Sequence, residues 1–368
     1  MKTAERRYDI DWLRVIAIAL LLIYHIAIVF QPWGVFIGFI QSNDSLESIW
    51  IPMSMLNVWR IPLLFFVSGM GVCFAMQKRS WKQLITERTR RILLPLVFGM
   101  CAIVPLHILI WQNYYNQDLA YQMGRGHLWF LANIFAYVII LLPLFYFLKN
   151  RYNSRTHKVL KSLFSNPFSI LFVATPFIIE ALVVAPDNFE LYAMTWHGFY
   201  LGLIAFLFGY LFIYSGIVFW EMVLKWRWLY VSLALALFGI RLLVFELEAP
   251  GYFIAIESNL WVFSVFGFAH KHLNRPGKTL QYLSQAAYPI YIIHMVFIYL
   301  GSIVILPLEI HVTLKLILLI AFTFVGSYVL YELIIRRLSF VGVLFGLKPV
   351  FKNKKESIIH SEKALELT

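Results

Sequence analysis

Ten long apolar segments follow one another along this chain, and they limit its fold more than any other feature. A helix needs about 20 apolar residues to cross the hydrocarbon core of a bilayer. The segments lie near residues 10–30, 51–76, 92–112, 127–148, 168–185, 192–214, 227–245, 252–270, 285–305 and 312–335. Only 14% of the residues are charged and 61% are hydrophobic, which excludes a soluble enzyme and a disordered chain. The pattern predicts an all-α, polytopic membrane protein, a bundle of about ten transmembrane helices.

The basic residues are concentrated in alternate loops. With both termini in the cytoplasm, 26 of the 31 lysines and arginines fall on the cytoplasmic side, as the positive-inside rule requires. The opposite loops carry Arg125 and eight acidic residues. This alternation predicts cytoplasmic N- and C-termini, and it explains the net charge of +12 without a nucleic-acid partner.

No internal repeat or interdomain linker divides the chain. The sequence therefore predicts a single transmembrane domain over residues 1–340. Residues 341–368 are predicted to form a cytoplasmic basic tail, whose charges lie near anionic membrane lipid. Cys73 and Cys101 fall inside apolar segments and are interpreted as small buried hydrophobic residues.

Ionisable side chains inside membrane spans are costly and mark functional sites. Several such residues predict a water-accessible cavity among the helices: Asp11, Arg14, His25, Arg60, Glu180, Arg241, Glu257, His294 and Glu332. In the first span, eleven steps of about 100° bring Arg14 and His25 to one helix face, about 16 Å apart. The alternative interpretation is that Arg14 forms an ion pair with Asp11, and that His25 bonds to a neighbouring helix.

Further candidates each allow a structural and a functional interpretation. Ser68, within FFVSG, permits close helix packing or lines the cavity. Arg88, Arg90 and Arg91 are topology anchors or a phosphate site, since arginine offers planar multidentate donors.

Aromatic and histidine side chains supply the remaining candidates. His127 and Trp129 either lie at the membrane–water interface, where such residues are common, or belong to the functional site. His294 lies near mid-membrane, where a histidine needs a hydrogen-bond partner. Tyr288 is the first residue of the segment YPIYIIH at 288–294, whose last residue is His294. Tyr328 and Glu332 share a helix face, where Glu332 is a candidate partner of Arg14. No metal-binding motif is present in the sequence.

Five of these motifs occur in an order that resembles the acyltransferase-3 family of bacterial integral-membrane acyltransferases. They are the Arg14/His25 pair, FFVSG at 65–69, RTRR at 88–91, HLWFL at 127–131 and YPIYIIH at 288–294. The segments YELIIRR at 331–337 and LFGLKPVFK at 344–352 also resemble the glucan-biosynthesis C branch, which contains presumed succinyltransferases of periplasmic glucans.

The resemblance implies a membrane O-acyltransferase of the bacterial inner membrane. Acyl-CoA would be the cytoplasmic donor co-substrate, with no tightly bound cofactor, and a carbohydrate hydroxyl would be the acceptor. In the family, the pair matching Arg14 and His25 is central to activity, and the motif matching Arg88 and Arg91 is implicated in donor handling.

Several points stay open at the sequence level. His25 is a candidate general base or nucleophile, and the acyl group is acetyl or succinyl. A secondary transporter or flippase, and a catalytically inactive partner subunit, are the alternative functions.

Overall fold

The computed structural model describes residues 6–348, and this part of the chain is helical without a β-strand. All ten predicted segments are helical, so the all-α prediction is confirmed. We number the helices in chain order: α1 (Tyr8–Ile28), α2 (Trp50–Lys78), α3 (Trp81–Tyr114), α4 (Trp129–Asn150), α5 (Arg155–Phe164), α6 (Ser169–Val184), α7 (Trp196–Tyr214), α8 (Ile217–Leu243), α9 (Gly251–His272), α10 (Lys278–Ile305), α11 (Val312–Ile335) and α12 (Ser339–Leu344). Residues 341–348 of the predicted basic tail are described and include the end of α12, whereas the rest of the tail and the end of LFGLKPVFK lie outside the described residues.

Within residues 6–348, nine helices are long and apolar enough to cross a membrane by themselves. A tenth span depends on α6, which has 16 residues and follows α5 after a bend of 96°. Helix α5 places His157 and Phe164 on its buried face and exposes Arg155, Lys158 and Lys161. It therefore has the character of an amphipathic helix that lies along the membrane surface before α6 enters the bundle.

Three helices begin earlier than the apolar pattern predicts. Helix α3 begins at Trp81 because Ser80 and Gln83 form a reciprocal capping box, so Arg88, Arg90 and Arg91 are helical rather than part of a loop. Helix α8 begins at Ile217, and Lys225 and Arg227 therefore lie within it. Helix α10 begins at Lys278. Hydropathy detects the apolar part of each helix and not its polar extension beyond the membrane.

Close backbone contact between α2 and α7 forms the centre of the bundle. A Cβ atom on Gly69 would lie 1.9 Å from the carbonyl oxygen of Phe206, and one on Gly209 would lie 2.0 Å from that of Phe66. The two helices therefore cross at a distance that only glycine permits. This packing explains the glycine of FFVSG.

Residues of helices α1, α2, α3, α4, α10, α11 and α12 line a cavity that is open at one end of the bundle. Arg6 and Lys348 both line this cavity, so the two ends of the described chain lie at the same end of the bundle. We call it the arginine end, defined by Arg6, Arg14, Arg88 and Arg91.

Candidate active site

A cavity of about 1120 Å³ enters the bundle from the arginine end. Nine cationic side chains and two carboxylates line it. The cations are Arg6, Arg7, Arg14, Lys78, Arg79, Arg88, Arg91, Arg336 and Lys348, and the carboxylates are Asp11 and Glu87. A cavity with such an excess of positive charge attracts polyanions.

Glu87 pairs with two of the three nearby arginines at the cavity wall. Its carboxylate lies 3.1 Å from Arg79 and 3.5 Å from Arg91. Arg88 forms no ion pair within residues 6–348; its Nη2 donates to the carbonyl of Gly71 at 3.3 Å, and its buried Nε has no partner there. Arg88 therefore retains donors for an anionic ligand.

A π-helical turn at Thr89–Leu93 interrupts α3 directly after Arg88. Such turns are frequent at functional sites because they change the direction of the side chains that follow. Here Arg88 and Arg91 line the cavity, whereas Arg90 is exposed and lies outside the lining. The structure therefore does not place Arg90 in the cavity with the other two arginines of the motif.

Arg14 also lines the cavity and lies 3.7 Å from Asp11, which accepts a hydrogen bond from Arg6 at 3.1 Å. A Cβ atom on Gly71 would lie 3.8 Å from Arg14, so Arg14 and Arg88 approach the same point of α2. Glu332 is not the partner of Arg14, contrary to the sequence-based interpretation. It accepts hydrogen bonds from Tyr282 and Arg336 instead.

Helix α10 presents a polar stripe to the cavity. Its members recur every three or four residues: Gln281, Ser284, Gln285, Tyr288 and Tyr291. The hydroxyl of Tyr288 is buried and has no partner within residues 6–348. Ser68 lines the cavity across from the stripe and donates to the carbonyl of Leu64 at 2.7 Å.

Apolar side chains close the inner end of the cavity. Ile18, Leu64, Phe130 and Tyr291 are the lining residues farthest from the arginine end on α1, α2, α4 and α10. His25 and His294 are not among the lining residues. The water-accessible cavity that the sequence predicts around His25 is therefore not this one, although the His25 side chain is only partly buried.

A hydrogen-bonded histidine pair lies beyond this closure. Nδ1 of His25 is 2.9 Å from Nε2 of His294, and the two rings are nearly coplanar, at 5°. Nδ1 of His294 lies 2.6 Å from the carbonyl oxygen of Tyr291, which can only accept. In the neutral pair His294 therefore carries its proton on Nδ1, and its Nε2 accepts from the Nδ1–H of His25. His25 is left with a lone pair on Nε2, which makes no hydrogen bond within residues 6–348.

Two more histidines adjoin the pair. The ring of His127 lies 5.1 Å from that of His294, and the ring of His107 lies 5.6 Å from that of His127. Nε2 of His127 donates to the carbonyl of Ile292 at 3.0 Å. Despite this clustering, no three His, Cys, Asp or Glu side chains of the described chain are arranged to hold a metal ion.

Residues 115–128 place His127 deep in the bundle by running back along α3. The hydroxyl of Tyr121 donates to the carbonyl of Cys101 at 2.8 Å, about 20 Å below the end of α3. Cys101 belongs to a second π-helical turn, Gly99–Ile103, and such turns leave backbone carbonyls available to side-chain donors. Cys101 is thus exposed and packs against Met123, unlike the buried Cys73, and the prediction that both are buried is wrong for Cys101.

The other buried charges lie outside the cavity lining. Arg241 is fully buried and bonds to Glu257 at 2.7 Å and to Glu190 at 3.0 Å. Arg60 donates to Asn57 at 2.9 Å and lies over the ring of Tyr24. Glu180 accepts from His197 at 2.9 Å. These contacts are compatible with a structural role that holds the helices together at the end opposite the arginines.

Three further predicted cavity residues also lie elsewhere. Trp129 packs edge-on against Phe65, Tyr328 is 45% exposed and faces Tyr282, and Glu332 bonds to Arg336. The cavity instead contains Tyr331, one position before Glu332, because the π-helical turn Tyr331–Ile335 rotates this part of α11.

Sequence reasoning missed Tyr291, Gln285, His107 and Lys348. The first two share a face with Tyr288, at a spacing that a helical wheel of α10 would have revealed. His107 sits alone in an apolar segment, and its position gives no signal of its neighbours.

A family model described as an acyltransferase domain, that of the acyltransferase-3 family, matches residues 7–332 of the chain. No curated protein and no solved structure matches it. The matched range includes the cavity-lining residues from Arg7 to Tyr331, and leaves out Arg6 and the lining residues from Ile335 onward.

Proposed function

The chain belongs to the acyltransferase-3 family of membrane acyltransferases, and on this premise we propose that it moves an acyl group from cytoplasmic acyl-CoA to a hydroxyl of an envelope carbohydrate. The proposal places the protein in a bacterial inner membrane, with the arginine end in the cytoplasm. The positive-inside distribution of basic residues supports that orientation.

The excess of cations in the cavity supports a donor with several phosphates. CoA carries its phosphates at the nucleotide end and reaches the thioester through a long, neutral, amide-containing arm. Arg88 has donors without partners at the cavity wall, and Arg14 and Arg91 lie beside it. Arginine binds phosphate oxygens with planar, multidentate geometry. The polar stripe on α10 offers hydrogen bonds to the arm along its path inward.

The hydrogen bonding of His25 supports a role as general base. Its Nδ1–H donates to His294, so its Nε2 lone pair can accept a proton. In the proposed reaction, Nε2 removes the proton of the acceptor hydroxyl as its oxygen attacks the thioester carbon. The C–S bond then breaks, and the imidazolium returns the proton to the CoA thiolate. His294 acts on the substrate through His25 and is a positioning residue.

The acyl group and the acceptor are the finer part of the proposal. We propose an acetyl or succinyl group and a glycan acceptor, following the resemblance of YELIIRR at 331–337 to the glucan-biosynthesis C branch. Only residues 344–348 of the second resembling segment are described, and Gly346 and Leu347 line the cavity.

The observation that carries the proposal is a cation-lined cavity whose inner end, at Tyr291, lies one helical turn from His294, which holds His25 with its Nε2 lone pair free. Acyl-labelled CoA tests it with the purified protein in detergent. We expect free CoA to appear together with a labelled glycan when envelope oligosaccharides are added. A transporter or flippase would move substrate in vesicles without releasing CoA, and that result would contradict the proposal.

A further inference from the structure

On helix α10, one helical turn separates a residue that lines the cavity from the histidine pair. Tyr291 lines the inner end of the cavity, and His294 lies three residues further along α10. Three residues of α-helix rise about 4.5 Å. The rings of Tyr291 and His294 stack at 5.9 Å. The Tyr291 ring therefore has the cavity on one side and the histidine pair on the other.

Tyr291 is held in this position by a hydrogen bond and by aromatic packing. Its hydroxyl donates to the carbonyl of His127 at 2.5 Å, and its side chain is 3% exposed. The ring of Phe130 lies 6.4 Å away, and Phe130 in turn packs on Phe65 at 4.6 Å. The acceptor of the hydrogen bond belongs to the returning segment 115–128, so two separate parts of the chain meet at the closure.

We propose that Tyr291 is a gate between the donor cavity and the histidine pair, held shut by its hydrogen bond to the His127 carbonyl. The inference rests on the proposed function, because the gate is assigned to the path of the donor arm. When Tyr291 rotates away from His127, the space of its ring becomes a passage from the cavity to His25.

A closed gate serves two physical purposes. It keeps water in the cavity away from His25, so that a bound thioester is not hydrolysed before an acceptor arrives. It also prevents a continuous polar path through the bundle. A donor arm that occupies the passage binds the open state and not the closed state. Its binding therefore shifts the equilibrium between the two states toward the open gate.

Thiol labelling tests the gate without reference to catalysis. The two native cysteines, Cys73 and Cys101, are first replaced by alanine. His25→Cys then reports access to the histidine pair, and Ser68→Cys, in a separate variant, reports access to the cavity. A charged methanethiosulfonate reagent is added from the arginine end in vesicles of known orientation.

We expect Cys at position 68 to react in every background, and Cys at position 25 to react slowly while Tyr291 is present. Tyr291→Phe should accelerate labelling at position 25 about fivefold, which corresponds to the loss of about 1 kcal/mol for one hydrogen bond. Tyr291→Ala should accelerate it further, because the ring is also removed.

Tyr299→Phe is the matched control. Tyr299 also lies on α10 and is 4% exposed. Its hydroxyl, like that of Tyr291, donates to a backbone carbonyl outside the helix, here that of Gly38. Its replacement should leave labelling at position 25 unchanged. Equal acceleration by Tyr299→Phe would show general loosening of the bundle and overturn the gate.

Two further results would overturn it. One is rapid labelling at position 25 with Tyr291 intact, and the other is a rate that neither Tyr291 variant changes. Protection of Cys at position 68 by CoA is measured in the same vesicles. Failure of CoA to protect this position would contradict the proposed donor site and leave the gate result standing.

Discussion

Nδ1 of His25 lies 2.9 Å from Nε2 of His294, although 269 residues separate the two histidines in the chain. The bond joins α1 to α10 and is continued by the bond from His294 to the carbonyl of Tyr291. Because a carbonyl cannot donate, the direction of both bonds is determined by the backbone. The same helix thus supplies the orienting residue, the proposed gate and the polar stripe of the cavity.

Replacement of His294 should lower kcat far more than it changes KM for acyl-CoA. Loss of the acceptor frees the His25 ring to rotate or to adopt the other tautomer, which costs up to about 10⁴-fold when a catalytic histidine loses its orienting partner. His294→Gln should recover part of the activity relative to His294→Leu, because its Oε1 can accept from Nδ1. Steady-state kinetics of both variants provide the measurement. Equal losses in the two variants, scaling with the amount of folded protein, would indicate a structural role.

The three arginines of the RTRR motif should differ in their effect on donor binding. Arg88→Ala should raise KM for acyl-CoA most, because Arg88 has no acidic partner within residues 6–348 and its Nε is unpaired. Arg91→Ala should have a smaller effect because Arg91 is paired with Glu87. The matched control is Arg90→Ala, whose side chain is exposed outside the cavity.

These arginine effects should appear in KM rather than kcat, since phosphate contacts remote from the thioester bind ground state and transition state alike. Titration of CoA binding measures them directly. An Arg90→Ala variant as impaired as Arg88→Ala would contradict the assignment.

Reporter fusions test the predicted orientation. Fusions after residues 80, 152 and 274 should report the cytoplasm, and those after 118 and 188 should report the outside. Position 80 precedes α3, whereas a fusion a few residues later would interrupt that helix. A cytoplasmic signal at 118 would reverse the side on which the donor cavity opens.

The stability of the protein should fall as pH rises through the titration of Glu190. Glu190 lies between α6 and α7, and burial raises its pKa from 4.5 to about 7, although Arg241 opposes the shift. A raised pKa means that the folded state holds the proton more tightly. The resulting stabilisation is complete below about pH 4.5 and is lost as the pH rises through about 7.

Glu190→Gln should flatten this dependence because glutamine mimics the protonated side chain and does not titrate. Thermal unfolding in detergent across that pH range gives the comparison. Identical slopes for wild type and variant would show that Glu190 does not titrate there.

The helices were predictable from the sequence because each must satisfy the same requirement, an apolar length that spans the bilayer. The positions where α3, α8 and α10 begin were not, because Ser80 and the polar residues near Lys225 and Lys278 continue each helix outside the apolar part. Helix α6 has only 16 residues, and it is long enough to count as a span only together with α5, from which it is bent by 96°.

The sequence predicted which candidate residues lie at the arginine end of their helices. It did not predict which side chains from different helices are in contact. The sequence brings Arg14, Ser68, Arg88 and Arg91 to one end of the bundle, and all four line the cavity. The pairing of His25 with His294 depends on how α1 packs on α10, which no local pattern encodes. The predicted pairing of Glu332 with Arg14 also depended on a contact between helices, and it was wrong. The π-helical turn in α11 directs Glu332 to Tyr282 instead.

Acyl transfer by the His25→Ala variant tests the account most directly. Wild-type and variant protein are compared for release of CoA from labelled acyl-CoA, per folded molecule, together with CoA binding. We predict a loss of about 10²- to 10⁴-fold in turnover, the usual contribution of a general base, with CoA affinity unchanged because the phosphate contacts lie at the arginine end. Normal turnover by the folded variant would contradict the catalytic role of His25.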